Sequence, residues 1–158
     1  MGLLNKLKAL KNTVTGGAAS VYIESEAVSF GEPFALKVIA QVKDADVKIN
    51  RVYVEIQGIE EVEVPDTDVI YEYEDDDYEV RRELVSAQVE TLTLELTLDH
   101  AQVLKANELY EWQANIELPE HAQGFYEGHY TQHYYIARAS LDCFGNDPDS
   151  DWQPLKEA

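Results

Sequence analysis

The sequence predicts an all-β fold, an antiparallel sandwich with one short helix at its N-terminal end. Three observations predict it. After residue 17 the apolar pattern changes from helical spacing to strict alternation, the mark of strands with one buried face. Clusters of Gly, Pro, Asn and Asp then recur roughly every ten to fifteen residues, with no helical stretch between the strands. Finally, 158 residues at 45% hydrophobic composition supply enough apolar material for one core. A chain of this size buries roughly 70% of its unfolded surface, and two domains would be cramped. Residues 1–17 are read as a helix and Gly linker, and 18–158 as a single sandwich domain.

Residues 2–13 carry the helical pattern. Leu3, Leu4, Leu7 and Leu10 recur on one stripe, Lys6, Lys8 and Lys11 lie mostly off it, and Gly16-Gly17 ends it. About three turns are marginal alone. The helix is therefore expected to cover a face or an edge of the sandwich; its alternative is weak contact with an anionic membrane surface. The strand series begins at Ser20–Glu24. A turn at Gly31-Glu32-Pro33 leads into the alternation Phe34, Leu36, Val38, Ala40, Val42. A turn at Asp44–Asp46 follows, then the apolar face Val52, Val54, Ile56, ending near Gly58. The next segment, Glu60–Tyr73, is punctuated by Pro65-Asp66. Residues 72–79 form an acidic loop that no core accommodates. Leu92, Leu94, Leu96 and Leu98 give the cleanest strand, with Thr91, Thr93, Glu95 and Thr97 on its other face. Tyr110, Trp112, Ala114, Ile116 and Leu118 form another, stopped by Pro119, and Tyr130–Phe144 a long last one, closed by Gly145-Asn146-Asp147-Pro148.

Charge narrows the partners. The formal net charge is −19, and of 12 basic residues three, Lys6, Lys8 and Lys11, precede the first acid, Glu24. The body of the chain repels phosphate backbones and attracts basic surfaces, so nucleic acid is not an expected partner. A single cysteine, Cys143, excludes an internal disulfide. The sequence shows no membrane-length apolar run and no secretory h-region, and position 6 is Lys where a myristoylation signal wants Ser or Thr. The expected address is the cytoplasm.

Candidate chemistry is sparse. On one strand, His129 and His133 would share a face about 13 Å apart, too far for a common zinc. They read, with His100 and His121, as sheet-surface histidines, and no metal or cofactor is predicted. Asp147, Asp149 and Asp151 imitate the start of a calcium loop, but the positions that want Gly and Glu hold Trp152 and Ala158. A solvated acidic turn is the expectation. Cys143 shares the parity of Tyr135, Ala137, Ala139 and Leu141 and reads as a small buried hydrophobe. Arg138 and Asp142 fall on the opposite face as a candidate ion pair. No nucleophile-elbow, P-loop or dinucleotide motif occurs, so no catalytic residue is assigned. The acidic loop is the candidate docking site for a basic protein partner: Asp75, Asp76 and Asp77, flanked by Tyr73 and Tyr78. As plain structure it would serve to keep an edge strand from pairing.

Two stretches resemble arrestin-fold proteins, in particular their bacterial sporulation-control branch. The first is Val28-Ser29-Phe30-Gly31-Glu32-Pro33 with the strand after it, then Ile49 through Gly58. The family's turn here is Pro-Gly-Glu-like, and this chain reads Gly-Glu-Pro. The second runs from Tyr110-Glu111-Trp112 to Leu118-Pro119, then through Gly124–Gly128 to Tyr134–Asp142, with Gly145-Asn146-Asp147 and Trp152 beyond. The leucine-lysine start is similar too. The resemblance covers residues from about 20 to 152. It implies an immunoglobulin-like antiparallel β-sandwich of arrestin type, and a non-enzymatic regulatory adaptor or scaffold acting through protein–protein contacts. Such proteins usually carry two sandwiches in tandem. Only the first is recognisable here, so assembly as a homodimer is expected to rebuild a two-lobed arrangement. The alternative function is a module binding a carbohydrate or other small ligand through its tyrosines and tryptophans; a concave aromatic-lined face would favour it, and aromatics shared out among the core would count against it.

Overall fold

The structure, a computed structural model, describes residues 17–71 and 78–158. The predicted N-terminal helix lies outside them. In chain order the strands are β1 (Ala19–Ser25), β2 (Pro33–Val42), β3 (Val47–Tyr71), β4 (Tyr78–Asp99), β5 (Gln102–Leu104), β6 (Leu109–Glu117), β7 (Tyr126–Glu127), β8 (Thr131–Cys143) and β9 (Gln153–Pro154). All strand pairs are antiparallel. One sheet has the order β1-β2-β6; the other has the order β4-β3-β8-β7, with β5 added to β3 and β9 to β8. Among the described residues the fold is all-β.

The alternation in the sequence sets the inner faces. Val21 and Ile23, then Leu36, Val38 and Ala40, then Ile116 come from the first sheet; Val54, Ile56, Ala137, Ala139 and Leu141 come from the second. All are buried, and burial of each large aliphatic side chain contributes roughly 1.5–3 kcal/mol before entropy is counted. Leu92, Leu94, Leu96 and Leu98 are only half-buried, because β4 is an edge strand and covers the core from the side. At the turn before β2, Gly31 has φ +71°, a left-handed conformation that side chains resist, and its N–H donates to the Leu118 carbonyl at 2.9 Å.

β3 does not end near Gly58, as its sequence suggests. It continues to Tyr71, and the register with β4 shifts between Gly58 and Ile59. Thr91 is the extra residue of this bulge, since Leu92 pairs with Gly58 and Glu90 with Ile59. The glycine is there for a close approach. A Cβ on Gly58 would lie 2.7 Å from Thr91 Oγ1 and 2.8 Å from Tyr135 Cε1.

Asp99, at the end of β4, ties the two sheets together. Its Oδ2 accepts from Trp112 Nε1 on β6 (2.8 Å) and from Gln102 Nε2 (2.6 Å), and its Oδ1 accepts from the His100 N–H (2.8 Å). The Trp112 bond, then those from His100 and Gln102, hold its carboxyl below the usual carboxylate range. A folded-state pKa below the unfolded value of about 3.9 means stability that is present above pH 4 and lost as pH falls through the lower value. Asp99→Asn is therefore expected to be less stable than the parent at pH 7, with the gap closing below about pH 4. Urea midpoints measured from pH 2.5 to 7 check this.

Candidate interaction surface

The last rung between β3 and β8 is Val62 with Thr131. Beyond it β3 and β4 run on alone as a two-stranded arm, from the Glu63–Ser86 pair to the Tyr71–Tyr78 pair. The bulge residue lies on β4, so the alternation along β3 passes into the arm unbroken. Val62 and Val64 therefore continue the core-facing side of the sheet. Val64 stands opposite Val85, Val62 opposite Ala87, and Glu60 opposite Val89. The other sheet stops short: β6 ends at Glu117 and the chain turns at Pro119. Val85 is 53% exposed and Val89 56%, on a face that inside the sandwich would be fully covered. The arm is an overhang of inner sheet face. Its β3 strand also carries Glu60, Glu61, Glu63, Asp66 and Asp68, with no base between them and Tyr71.

The reverse side of the arm meets the β7–β8 turn in an open cavity of about 350 Å³, lined by Glu61, Glu63, Pro65, Leu84, Glu127, His129 and Tyr130 among others. Leu84 is 68% exposed. Pro65 is tolerated because this stretch of β3 has β4 on one side only.

The base of the arm is pinned. Glu63 N–H donates to the Tyr130 carbonyl (2.8 Å), Gln132 Nε2 donates to Glu61 (2.8 Å), and the Tyr126 hydroxyl donates to Glu60 (2.8 Å). That last carboxylate holds the phenolic proton and raises the Tyr126 pKa. Beneath lies an aromatic plug. The Tyr135 ring sits 5.8 Å from Phe30, 5.3 Å from Phe125 and 5.1 Å from His133, and its hydroxyl donates to the Gln123 carbonyl at 2.8 Å.

The structure redistributes the residues singled out from sequence. Tyr73, Asp75, Asp76 and Asp77 lie outside the described residues, as do Leu3, Leu4, Lys6, Leu7, Lys8, Leu10 and Lys11. Tyr78 opens β4 in register with Tyr71, so the acidic segment is joined to the far end of the arm. His133 is not a surface histidine. β8 begins only at Thr131, which leaves His129 outside the strand, and His133 turns inward and is buried. Its Nδ1 lies 3.0 Å from the Gly124 carbonyl, which can only accept, so Nδ1 carries a proton, and its Nε2 is hydrogen-bonded to the Thr91 hydroxyl at 2.7 Å.

Arg138 and Asp142 do not pair with each other; cross-strand neighbours are nearer. Arg138 takes Glu55 on β3 (2.7 Å), and Asp142 lies 3.8 Å from Arg51. Asp147 spends one carboxylate oxygen on the Cys143 N–H and the other on the Tyr53 hydroxyl, both at 3.0 Å, while Asp149 accepts from the Asp151 N–H. The acidic turn thus clasps itself and β3. Among the described residues no three His, Cys, Asp or Glu side chains are grouped to hold a metal ion. Cys143 is half-buried, its thiol pushed up to about 11 by burial first and then by Asp147 and Asp142. Phe30, Phe125, Tyr135, Tyr110 and Trp112 all pack on or in the core. Tyr22, Tyr53, Tyr126, Tyr130, Tyr134 and Trp152 lie outside it, half-buried or exposed, so the aromatics are divided between core and surface. No helix among the described residues is long and apolar enough to cross a membrane.

Sequence reasoning missed Val64, Leu84, Val85 and Val89. Their signal was present: β-branched residues alternate with polar ones on both sides of the acidic segment, as a hairpin requires.

No family model matches the chain, and no curated protein does. Among solved structures its fold is similar to that of Spo0M, a sporulation control protein from Bacillus subtilis, at 19% identity and a TM-score of 0.53. The likeness covers 90% of this chain and 50% of that one, so the chain spans half the length of that protein. The resemblance to sporulation-control proteins read from residues 20–152 is met at the level of the fold.

Proposed function

We propose that the chain is a non-enzymatic regulatory adaptor of arrestin type, which offers its β3–β4 arm to a basic, apolar segment of a partner protein. One observation carries this reading: an uncovered inner sheet face, with Val64, Val85 and Val89 exposed on an arm whose acids outnumber its two bases, Arg81 and Arg82. Exposed apolar patches with polar rims mark interaction sites. The acids select the partner, because a like-charged surface is repelled and a Lys- or Arg-bearing one is attracted. The fold shared with a sporulation control protein supports a regulatory role. The cytoplasm remains the proposed compartment, and assembly of two copies remains compatible with an arm free on one face.

The test is capture from the native cell with the full chain, followed by mass spectrometry. Val64→Asp/Val85→Asp is expected to lower recovery of the partner at least about tenfold, a cost of about 1.4 kcal/mol. Both side chains are exposed, so the melting temperature should stay within about 2 °C of the parent's. The same proteins recovered at the same yield with both chains would refute the assignment.

A further inference from the structure

The arm has two open edges, and only one of them is guarded. On the β3 side the Glu63 N–H donates to the Tyr130 carbonyl, which marks the parity whose backbone groups face outward there. Two residues on, the same parity holds Pro65, which has no N–H to offer. A proline set among Glu61, Glu63, Asp66 and Asp68 keeps an edge from accepting a further strand. The β4 side has no such guard. β4 ends its sheet, and among the described residues no strand pairs with its outer edge. From Val80 to Glu90 it contains no proline, glycine or lysine, and the stretch Leu84-Val85-Ser86-Ala87-Gln88-Val89 carries no charge. Every residue from Val80 to Glu90 is exposed. The bulge at Thr91 interrupts the edge and sets where a regular ladder must stop.

We propose that this edge is the contact between two copies of the chain, which pair antiparallel, β4 to β4, about a two-fold axis at Ser86. Charge selects both the occupant and the register. Opposite residues of an antiparallel pair point to the same face, so a two-fold axis falls on a residue rather than between two. Among the positions from Val80 to Glu90, Ser86 alone sets opposite charges face to face without also setting like charges together: Arg82 meets Glu90 of the second copy, and Glu90 meets its Arg82. Glu90 holds one carboxylate oxygen on the Thr93 hydroxyl at 3.1 Å, and the other can take a guanidinium. The two ion pairs bracket the uncharged stretch, and the ladder from Arg82 to Glu90 is about 30 Å long. On the inner face Val85 comes opposite Ala87 of the second copy, so the valines of both overhangs run together across the junction. Two chains of net charge −19 repel at long range. The acids of the two β3 strands, however, stand three strand spacings apart, about 14 Å, beyond the screening length of about 8 Å at physiological salt. The contact takes the edge of the arm and leaves its face open, so it stands apart from capture of a basic partner.

Sedimentation velocity of the full chain, from low to high micromolar concentration, is expected to show a reversible dimer. Arg82→Glu and Glu90→Arg should each weaken it at least about tenfold, because each sets two like-charged pairs across the axis. Arg82→Glu/Glu90→Arg exchanges the charges and should return association to within about threefold of the parent's. Both side chains are exposed, so the fold is not at stake in any of the three. Under copper–phenanthroline oxidation, Ser86→Cys should link two copies about tenfold faster than Val80→Cys. At the axis opposing Cα atoms lie about 5 Å apart, within disulfide reach, whereas the two Val80 positions stand about 40 Å apart. Peptide mass separates these links from any through Cys143. A monomer throughout the range, single variants that associate like the parent, or a double variant no better than the singles overturns the proposal. So does a dimer that Ser86→Cys links no faster than Val80→Cys.

Discussion

Tyr135→Ala is expected to cost about 3–5 kcal/mol, the range for emptying a buried aromatic site, and to lower the melting temperature by about 10 °C. Among the described residues Tyr135 is the largest side chain wholly removed from solvent. Its ring fills the junction where the two sheets end and the arm begins, in contact with Phe30, Phe125 and His133. The surrounding loop cannot collapse easily into the space, because Gly124 stays held by its hydrogen bond with His133. Tyr135→Phe separates the two contributions. It keeps the ring and removes only the donor to the Gln123 carbonyl, for a loss of about 1 kcal/mol. Guanidinium unfolding of both variants measures the division, and equal losses would show that the hydroxyl rather than the ring carries the site.

Gly58→Val is expected to be nearly as damaging, at about 2–4 kcal/mol, by the opposite mechanism. Here the site is too full. Even the first carbon of a side chain would meet Thr91 Oγ1 and Tyr135 Cε1 within 2.8 Å. Neither neighbour yields freely, since Thr91 is hydrogen-bonded to His133 and Tyr135 is hemmed in by its plug. The pair makes a double-mutant cycle informative. With Tyr135 already reduced to alanine the new side chain has space, so the losses should fall short of additivity by about 0.5–3 kcal/mol. Thermal unfolding of the four chains checks this, and strict additivity would show that the ring does not confine residue 58.

Much of the fold is legible in the sequence because one physical rule, alternation, writes it. Phe34 to Val42, Leu92 to Leu98 and Tyr110 to Leu118 each announce a strand and its buried face. Alternation does not say where a strand sits in its sheet. Leu92–Leu98 is the cleanest repeat in the chain and yet belongs to an edge, half-buried. Nor does it say what a glycine is for. Gly58 has the look of a strand end, and its real reason, the ring of Tyr135 arriving from β8, is a contact between residues 77 positions apart. His133 fails for the same cause: it alternates like a surface residue until the offset start of β8 and the loop at Gly124 turn it inward. The exposed arm was half legible. The acids around residue 75 fall between the two strands of the arm in the sequence, but the overhang of valines exists only because the opposite sheet is shorter, and strand lengths in two sheets are not compared by any local pattern.

The continuity of β3 has a consequence for how firmly its parts are held. Between Val52 and Val62 the strand has a neighbour on each side and apolar cover, and beyond Glu63 it has a neighbour on one side and water on the other. Local opening free energy follows the number of such attachments. A single unbroken strand therefore passes from the slowest-exchanging amides of the molecule to amides that open without disturbing the core. The arm can separate its two strands, or reshape around whatever it meets, while the sandwich from which it grows stays shut.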